Sequence, residues 1–166
     1  MINIVIPTYR RNNDLFNLLE RFSLSTIPVT LHIYDNEPNN NISTVLTNLE
    51  NNKLKIIYTQ REQNIGPVLN FFFSLKDCSQ KVTSKYISII SDDDLCTTEY
   101  LKELNKFEHI NEIYDFLLFN NLILFNEKTN KYSLRGYTSS YDNIINKHTT
   151  ITGTTFSILF LKSFFF

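Results

Sequence analysis

The sequence predicts an α/β fold, a mostly parallel sheet flanked by helices, and three observations carry that reading. Short apolar runs rich in β-branched residues alternate four times with stretches of helical periodicity, the pattern of a parallel sheet with helices on its faces. Each run ends in a polar cluster, "PTYRR", "DNEPN", "REQNIG" or "SDDDL", so four loops fall on one edge of the sheet, where such folds bind ligands. A chain of 166 residues with 42% hydrophobic content can bury one good core.

The elements follow in order. "INIVI" at Ile2 to Ile6 reads as a buried strand bounded by Pro7. A helix comes next, with Asn12 or Asn13 able to cap it and Leu15, Leu18, Leu19 and Phe22 recurring on one face. "VTLHIY" (Val29 to Tyr34) is the second strand and ends at Asp35; a modest helix is expected around Ser43 to Leu49, then the strand "LKIIYT" at Leu54 to Thr59. Pro67 suits the first turn of the following helix, "PVLNFFFSL", where its missing N–H goes unnoticed. In that helix Phe71, Phe72 and Phe73 read as core. "KYISII" is the fourth strand, and "TEYLKELNKFEHI" the helix after it, with His109 at the surface. Past Asp115 the pattern suggests one or two strands in "YDFLLFNNLILF", a turn at "NEKTNK", a strand at "KYSLRGY", a short helix at "SSYDNIINKH" and an apolar element in "ITGTTFSILFLK".

Composition excludes several classes. The net charge is −1, from 16 basic and 17 acidic residues, so no basic field exists to hold nucleic acid. Cys78 and Cys96 lie far apart with no CxxC spacing, and His32, His109 and His148 form no HExxH pair, which argues against zinc and for a reducing compartment. The opening apolar run is too short for a secretion signal, so the chain reads as cytoplasmic. The apolar stretch at the other end, broken by Lys162, is shorter than the roughly 20 residues of a spanning helix. It reads as a buried element of the fold, with a tail that seeks a membrane surface as the alternative.

The fourth strand ends in three consecutive carboxylates, Asp92, Asp93 and Asp94. Their mutual repulsion at the mouth of a core strand calls for an offset. A divalent cation supplies one; capping of the next helix, with the remaining acids solvated at its N-terminus, supplies another. The four converging loops favour the cation, because a phosphorylated, metal-bridged ligand uses carboxylates for base or ribose and for the metal, and donors for phosphate. Neither a GxGxxG nor a GxxxxGK[ST] motif is present, so no dinucleotide fingerprint or P-loop is supported.

"INIVIPTYRRNNDLFNLLERF", "IYDN", "NIGPVLN" and "ISDDDLCTTEYL", in that order and spacing, resemble the nucleotide-binding half of a family 2 glycosyltransferase with the GT-A fold. The resemblance covers about residues 1–104 and implies a nucleotide-sugar-binding half there. Residues 105–166 would be a partial acceptor-side half of the same domain, with the acceptor lobe incomplete. It implies that Pro7, Thr8 and Tyr9 border base and diphosphate, that Asp35 accepts a hydrogen bond from the base, and that Asn64 and Gly66 belong to the loop after the third strand. Asp92 would face the ribose, and Asp92, Asp93 and Asp94 would hold Mn²⁺ or Mg²⁺ on the donor diphosphate.

Two departures stand out. Ser91 occupies a position where the commonest family pattern has an acid, and Val68 and Leu69 stand where a basic residue is frequent, leaving Arg10 or Arg61 to meet phosphates or base. Plain rivals exist: Asp35 as an Asx-turn residue, Tyr9 and Arg10 as ordinary strand-end residues. The implied activity is metal-dependent, inverting transfer of a sugar from a nucleotide donor to a glycan or lipid-linked acceptor, with peripheral association at the inner membrane face as an extension. The alternative is a truncated, non-catalytic fragment that binds nucleotide sugar without transfer. Gly153 to Thr155 would lie near the sugar, and since no acid follows them, Asp142 is the one candidate base.

Overall fold

The computed structural model describes residues 1–94, 96, 98–107, 109, 116–118, 121–126, 131–136 and 158–161. Its first half is the alternation expected: β1 (Ile2–Thr8), α1 (Asn12–Ser23), β2 (Val29–Asp35), α2 (Ser43–Thr47), β3 (Leu54–Gln60), α3 (Pro67–Lys81), β4 (Tyr86–Ile89) and α4 (Thr98–Phe107). Then come β5 (Phe116–Leu118), β6 (Asn121–Asn126), β7 (Lys131–Gly136) and β8 (Ile158–Leu161). The main sheet runs β3-β2-β1-β4-β8-β5, and β6 pairs with β7 as a separate antiparallel ribbon. β1 to β4 are parallel, with Ile4 opposite Leu31 and Ser88, whereas β8 joins β4 and β5 antiparallel. The expected helix at "SSYDNIINKH", with His148, lies outside the described residues.

Alternation along the strands builds two cores, one on each face. Ile2, Ile4 and Ile6 of β1 and Val29, Leu31 and Ile33 of β2 pack with Leu15, Leu18, Leu19 and Phe22 of α1 and Leu101 and Leu104 of α4. Val5 and Tyr34 turn the other way and meet Leu75 and Cys78 of α3 and Val82 just after it. The apolar stripe of α1 is the one its periodicity indicates.

Two local expectations fail for identifiable reasons. Neither Asn12 nor Asn13 caps α1; Arg11 stands at the cap without a side-chain bond, because the Asn12 amide is taken by a reciprocal pair with Asn40 at 3.2 and 3.0 Å. Phe71, Phe72 and Phe73 are not core: they remain 41%, 48% and 37% exposed. The buried face of α3 is Asn70, Ser74, Leu75, Cys78 and Ser79, and it is fastened by polar bonds, Asn70 Nδ2 to the Tyr34 carbonyl at 3.1 Å among them.

His32, on the α3 face of β2, is 1% exposed. The Asn3 amide nitrogen donates to Met1 O and Ser84 Oγ, so its oxygen faces His32 Nε2, 2.9 Å away, as acceptor. That makes Nε2 the protonated nitrogen and leaves Nδ1 buried without a partner. Burial, with Lys81 and Lys55 nearby, lowers the pKa to about 4. The neutral ring is therefore the folded form, and the folded state binds fewer protons than the unfolded one between pH 6.5 and 4. Stability should fall as pH drops through that window, by about 3 kcal/mol at its lower end. Urea unfolding at pH 7 and 4.5 measures this, with His32→Gln, which cannot titrate, losing correspondingly less. An equal decline in both proteins would show that the ring charges at no cost.

Candidate functional site

The strand order reverses between β1 and β4, and ligands of open α/β sheets bind at that crevice, beyond the carboxyl ends of the strands. Here the end of β1 meets the acidic run. Thr8 Oγ1, buried, donates to Asp92 Oδ2 at 2.6 Å across 84 residues of sequence. Arg11 Nη1 then reaches two carboxylates at once, Asp92 Oδ1 at 3.2 Å and Asp93 Oδ2 at 2.6 Å. The guanidinium is half exposed and its pKa is raised, chiefly by the charges of Asp92 and Asp93. Asp94 faces elsewhere: its Oδ2 accepts from the Ser91 N–H at 2.7 Å, while Asp94 N–H donates to Ser91 O, closing a turn over 91–94. Ser91 Oγ, at the position of the missing acid, donates to Asp93 Oδ1 at 2.5 Å. The acidic run is thus divided, two carboxylates toward Arg11 and one toward its own backbone.

The other loops are tied to this edge. Asn36 N–H donates to Thr8 O, and Arg61 N–H to Asp35 O, so the ends of β1, β2 and β3 are stitched together. Asp35 is fully buried; Oδ1 accepts from Glu37 N–H at 2.8 Å, and Oδ2 from Asn40 Nδ2 at 2.6 Å and the Tyr58 hydroxyl at 2.9 Å. Burial and the Asp35 carboxylate raise the Tyr58 pKa, which keeps the phenol a donor. Asn64 Oδ1 accepts from Asn36 Nδ2 and from Gly66 N–H, both at 2.8 Å, and Gly66 takes φ +82°, open to glycine without strain, to start α3 at Pro67. Arg61 is committed to the scaffold: it pairs with Asp77 at 2.9 Å, bonds Asn70 and lies over the Tyr34 ring.

Arg10 adopts φ 57°, a left-handed conformation costly for a side chain of its size, and its guanidinium binds Glu37 at 3.0 Å beside the Tyr9 ring. Arg10 and Arg11 therefore point to different carboxylates. Together with Asn12, Asn13, Asp14 and Glu37 they line an open polar cavity of about 510 Å³. Pro7 is half-buried and Tyr9 exposed at the same edge. The structure brings together Thr8, Asp92 and Asp93 through the Thr8 hydroxyl, Arg11 and Ser91, and joins Asn64 to Gly66, while Asp35 is bonded instead to Glu37, Asn40 and Tyr58. Asp142 and Gly153 to Thr155 lie outside the described residues.

The model of glycosyl transferase family 2 matches residues 3–165, nearly the whole chain. The chain belongs to that family. A search of curated proteins finds no match. Among solved structures, S. aureus TarS 1-349 superposes with a TM-score of 0.51 at 20% identity, covering 64% of this chain and 31% of TarS. The mannosyltransferase PcManGT from Pyrobaculum calidifontis, in complex with GDP-Man and Mn²⁺, gives 0.52 at 12% identity, covering 67% and 32%. HddC from Yersinia pseudotuberculosis gives 0.51 at 13% identity, covering 98% and 78%. These likenesses establish the GT-A fold for this family 2 chain, which spans about a third of the length of TarS 1-349 and of PcManGT.

Sequence reasoning passed over Arg11. It named the neighbouring Arg10 for phosphate, and the signal that separates the two, the left-handed turn at Arg10, is conformational. Among the described residues no three His, Cys, Asp or Glu side chains form a ready metal cage. Two carboxylate oxygens converging on one cationic nitrogen nevertheless fit the way Mg²⁺ and Mn²⁺ are held in phosphate-transfer sites, by one or two carboxylates with the substrate's phosphates completing the shell.

Proposed function

We propose that the chain binds a nucleotide-sugar donor at the β1/β4 crevice and transfers the sugar with inversion to a glycan or lipid-linked acceptor, met in the cytoplasm or at its membrane face. The observation that carries this is the convergence of Asp92 Oδ1 and Asp93 Oδ2 on a single point at the switch of strand order. Family membership and the fold it shares with PcManGT, a mannosyltransferase seen with GDP-Man and Mn²⁺, support the class of donor. Residues 1–104 are assigned to donor binding and the remainder to the acceptor side.

Asp92 and Asp93 would hold the cation, and Asp94 contributes by closing the turn that presents them. The metal supplies charge neutralisation for the departing nucleoside diphosphate. Thr8 orients the Asp92 carboxylate, leaving Oδ1 toward the crevice. Exposed Tyr9, Arg10 at the cavity and Pro7 before them in β1 border the base and diphosphate. Asp35 acts on the base through the loop it braces, since direct contact requires Asn40 or Tyr58 to yield its bond. Asn64 and Gly66 keep the third loop folded against Asn36.

The test is a melting-temperature series with uridine and guanosine diphosphates, with Mn²⁺ or with chelator. At 100 times its dissociation constant a ligand adds about 2.7 kcal/mol, a readily measured shift. Stabilisation is expected only with Mn²⁺ present, because the carboxylates repel a bare diphosphate. Equal shifts in chelator would defeat the metal-bridged reading.

A further inference from the structure

We infer that Arg11 is the resident counter-cation of the acidic site, which a divalent metal must displace, so that metal alone binds weakly and enters efficiently only together with a nucleoside diphosphate. This rests on the proposed metal site and concerns what that site does before any ligand arrives.

The geometry is specific. A single nitrogen, Arg11 Nη1, lies between the two carboxylate oxygens that face the crevice, at 3.2 Å from Asp92 and 2.6 Å from Asp93. A metal taking the same two oxygens cannot coexist with that nitrogen, because both would compete for the same lone pairs and a dication would face a guanidinium across a few ångströms. The remaining bonds hold the carboxylates in place for either occupant. Asp92 Oδ2 stays on Thr8, and Asp93 Oδ1 on Ser91. Arg11, by contrast, is free to leave: its side chain is 49% exposed and projects from the start of α1 at the edge of the polar cavity. Its fork of donors suits a phosphate as well as a carboxylate. A diphosphate in the cavity gives the displaced guanidinium a new partner while the metal takes the old one, which couples the two binding events. Arg10 does not share the role, since its charge is spent on Glu37.

The experiment measures Mn²⁺ binding to the full chain by electron paramagnetic resonance of free Mn²⁺, at an ionic strength of about 0.15 M, where distant charges are screened. Wild type, Arg11→Ala, Arg11→Gln and Arg21→Ala are compared, each with and without uridine or guanosine diphosphate. Without nucleotide, both Arg11 variants should bind Mn²⁺ about tenfold more tightly than wild type, the scale of two ion pairs of a half-exposed guanidinium released. Arg21→Ala, which removes an exposed arginine from the last turn of α1, should stay within about twofold, as a distant and screened charge implies. The enhancement of Mn²⁺ affinity by nucleotide should be smaller in the Arg11 variants than in wild type. Unchanged Mn²⁺ affinity in folded Arg11→Ala and Arg11→Gln, or an equal gain in Arg21→Ala, overturns the role of Arg11 while leaving the metal site standing. Absence of Mn²⁺ binding from all four proteins, even with nucleotide, removes the metal site itself.

Discussion

Replacement of Asp35 by alanine is expected to cost about 4 kcal/mol of folding stability, roughly 8 to 16 °C in melting temperature for a domain of this size. Three donors converge on this fully buried carboxylate, the Glu37 N–H, the Asn40 amide and the Tyr58 hydroxyl. Hydrogen bonds to a charged acceptor each contribute about 1.5 kcal/mol or more, and relief from burying the charge returns only part of their loss. Asn40 has no easy substitute, because flipping its amide breaks the reciprocal pair with Asn12. Tyr58 does, since its hydroxyl also lies 3.2 Å from the Asn40 carbonyl. Asp35→Asn should therefore cost about half as much as Asp35→Ala, and Tyr58→Phe about 1 kcal/mol. Urea denaturation of the three variants checks the ranking. An Asp35→Ala protein that melts within a degree of wild type would mean that the carboxylate is held in reserve for a ligand rather than bracing the loop.

This residue illustrates what the sequence could and could not convey. Asp35 was legible as a strand-end acid on the ligand edge because the period of "VTLHIY" and the following Asn-rich loop are local signals. Its partner Tyr58 was not, because pairing β2 with β3 in the register that sets Tyr58 near Asp35 brings together residues 23 positions apart. The same limit separates the acidic run from its cation. Three adjacent carboxylates announce that a charge is needed, but which arginine supplies it depends on the left-handed turn at Arg10 and on the close approach of β1 to β4.

The helix of three phenylalanines misled for a different reason. Aromatic residues indicate burial only when the opposite face of their helix is the more polar one outside the core, and α3 inverts this by turning Asn70, Ser74 and Ser79 inward, where Asn70 bonds the Tyr34 carbonyl of β2 and the two serine hydroxyls are satisfied by carbonyls of their own helix. Hydropathy alone cannot see such bonds. By contrast the parallel pairing of β1 to β4 follows from the alternation of strands and helices, which is written in their spacing, whereas the order β3-β2-β1-β4 is set by tertiary packing.

Asp93→Asn and Asp92→Asn are expected to weaken metal-dependent nucleotide binding alike and to differ in folding. Asp93 is about half exposed; its loss removes one pair with Arg11 but also one repulsion with Asp92, so the unliganded protein should keep its stability within about 0.5 kcal/mol. Asp92 is nearly buried and takes the Thr8 hydroxyl at 2.6 Å, so its amide replacement leaves a buried donor facing a weaker acceptor and should cost about 1 to 2 kcal/mol. On the ligand side, loss of a direct carboxylate should weaken metal-dependent binding about 100-fold, the upper end of what losing even a supporting contact does. A nucleoside diphosphate with Mn²⁺ that adds about 2.7 kcal/mol to wild type would then add only about 0.4 kcal/mol to either variant at the same concentration. In melting temperature that is a shift of roughly 5 to 11 °C reduced to about 1 °C. Differential scanning calorimetry with and without ligand reads both effects in one series. If Asp93→Asn melts far below wild type yet keeps the full ligand shift, the acidic run is scaffolding for the turn and the cation lies elsewhere; if it keeps its melting point and loses the shift, Asp93 serves the ligand alone.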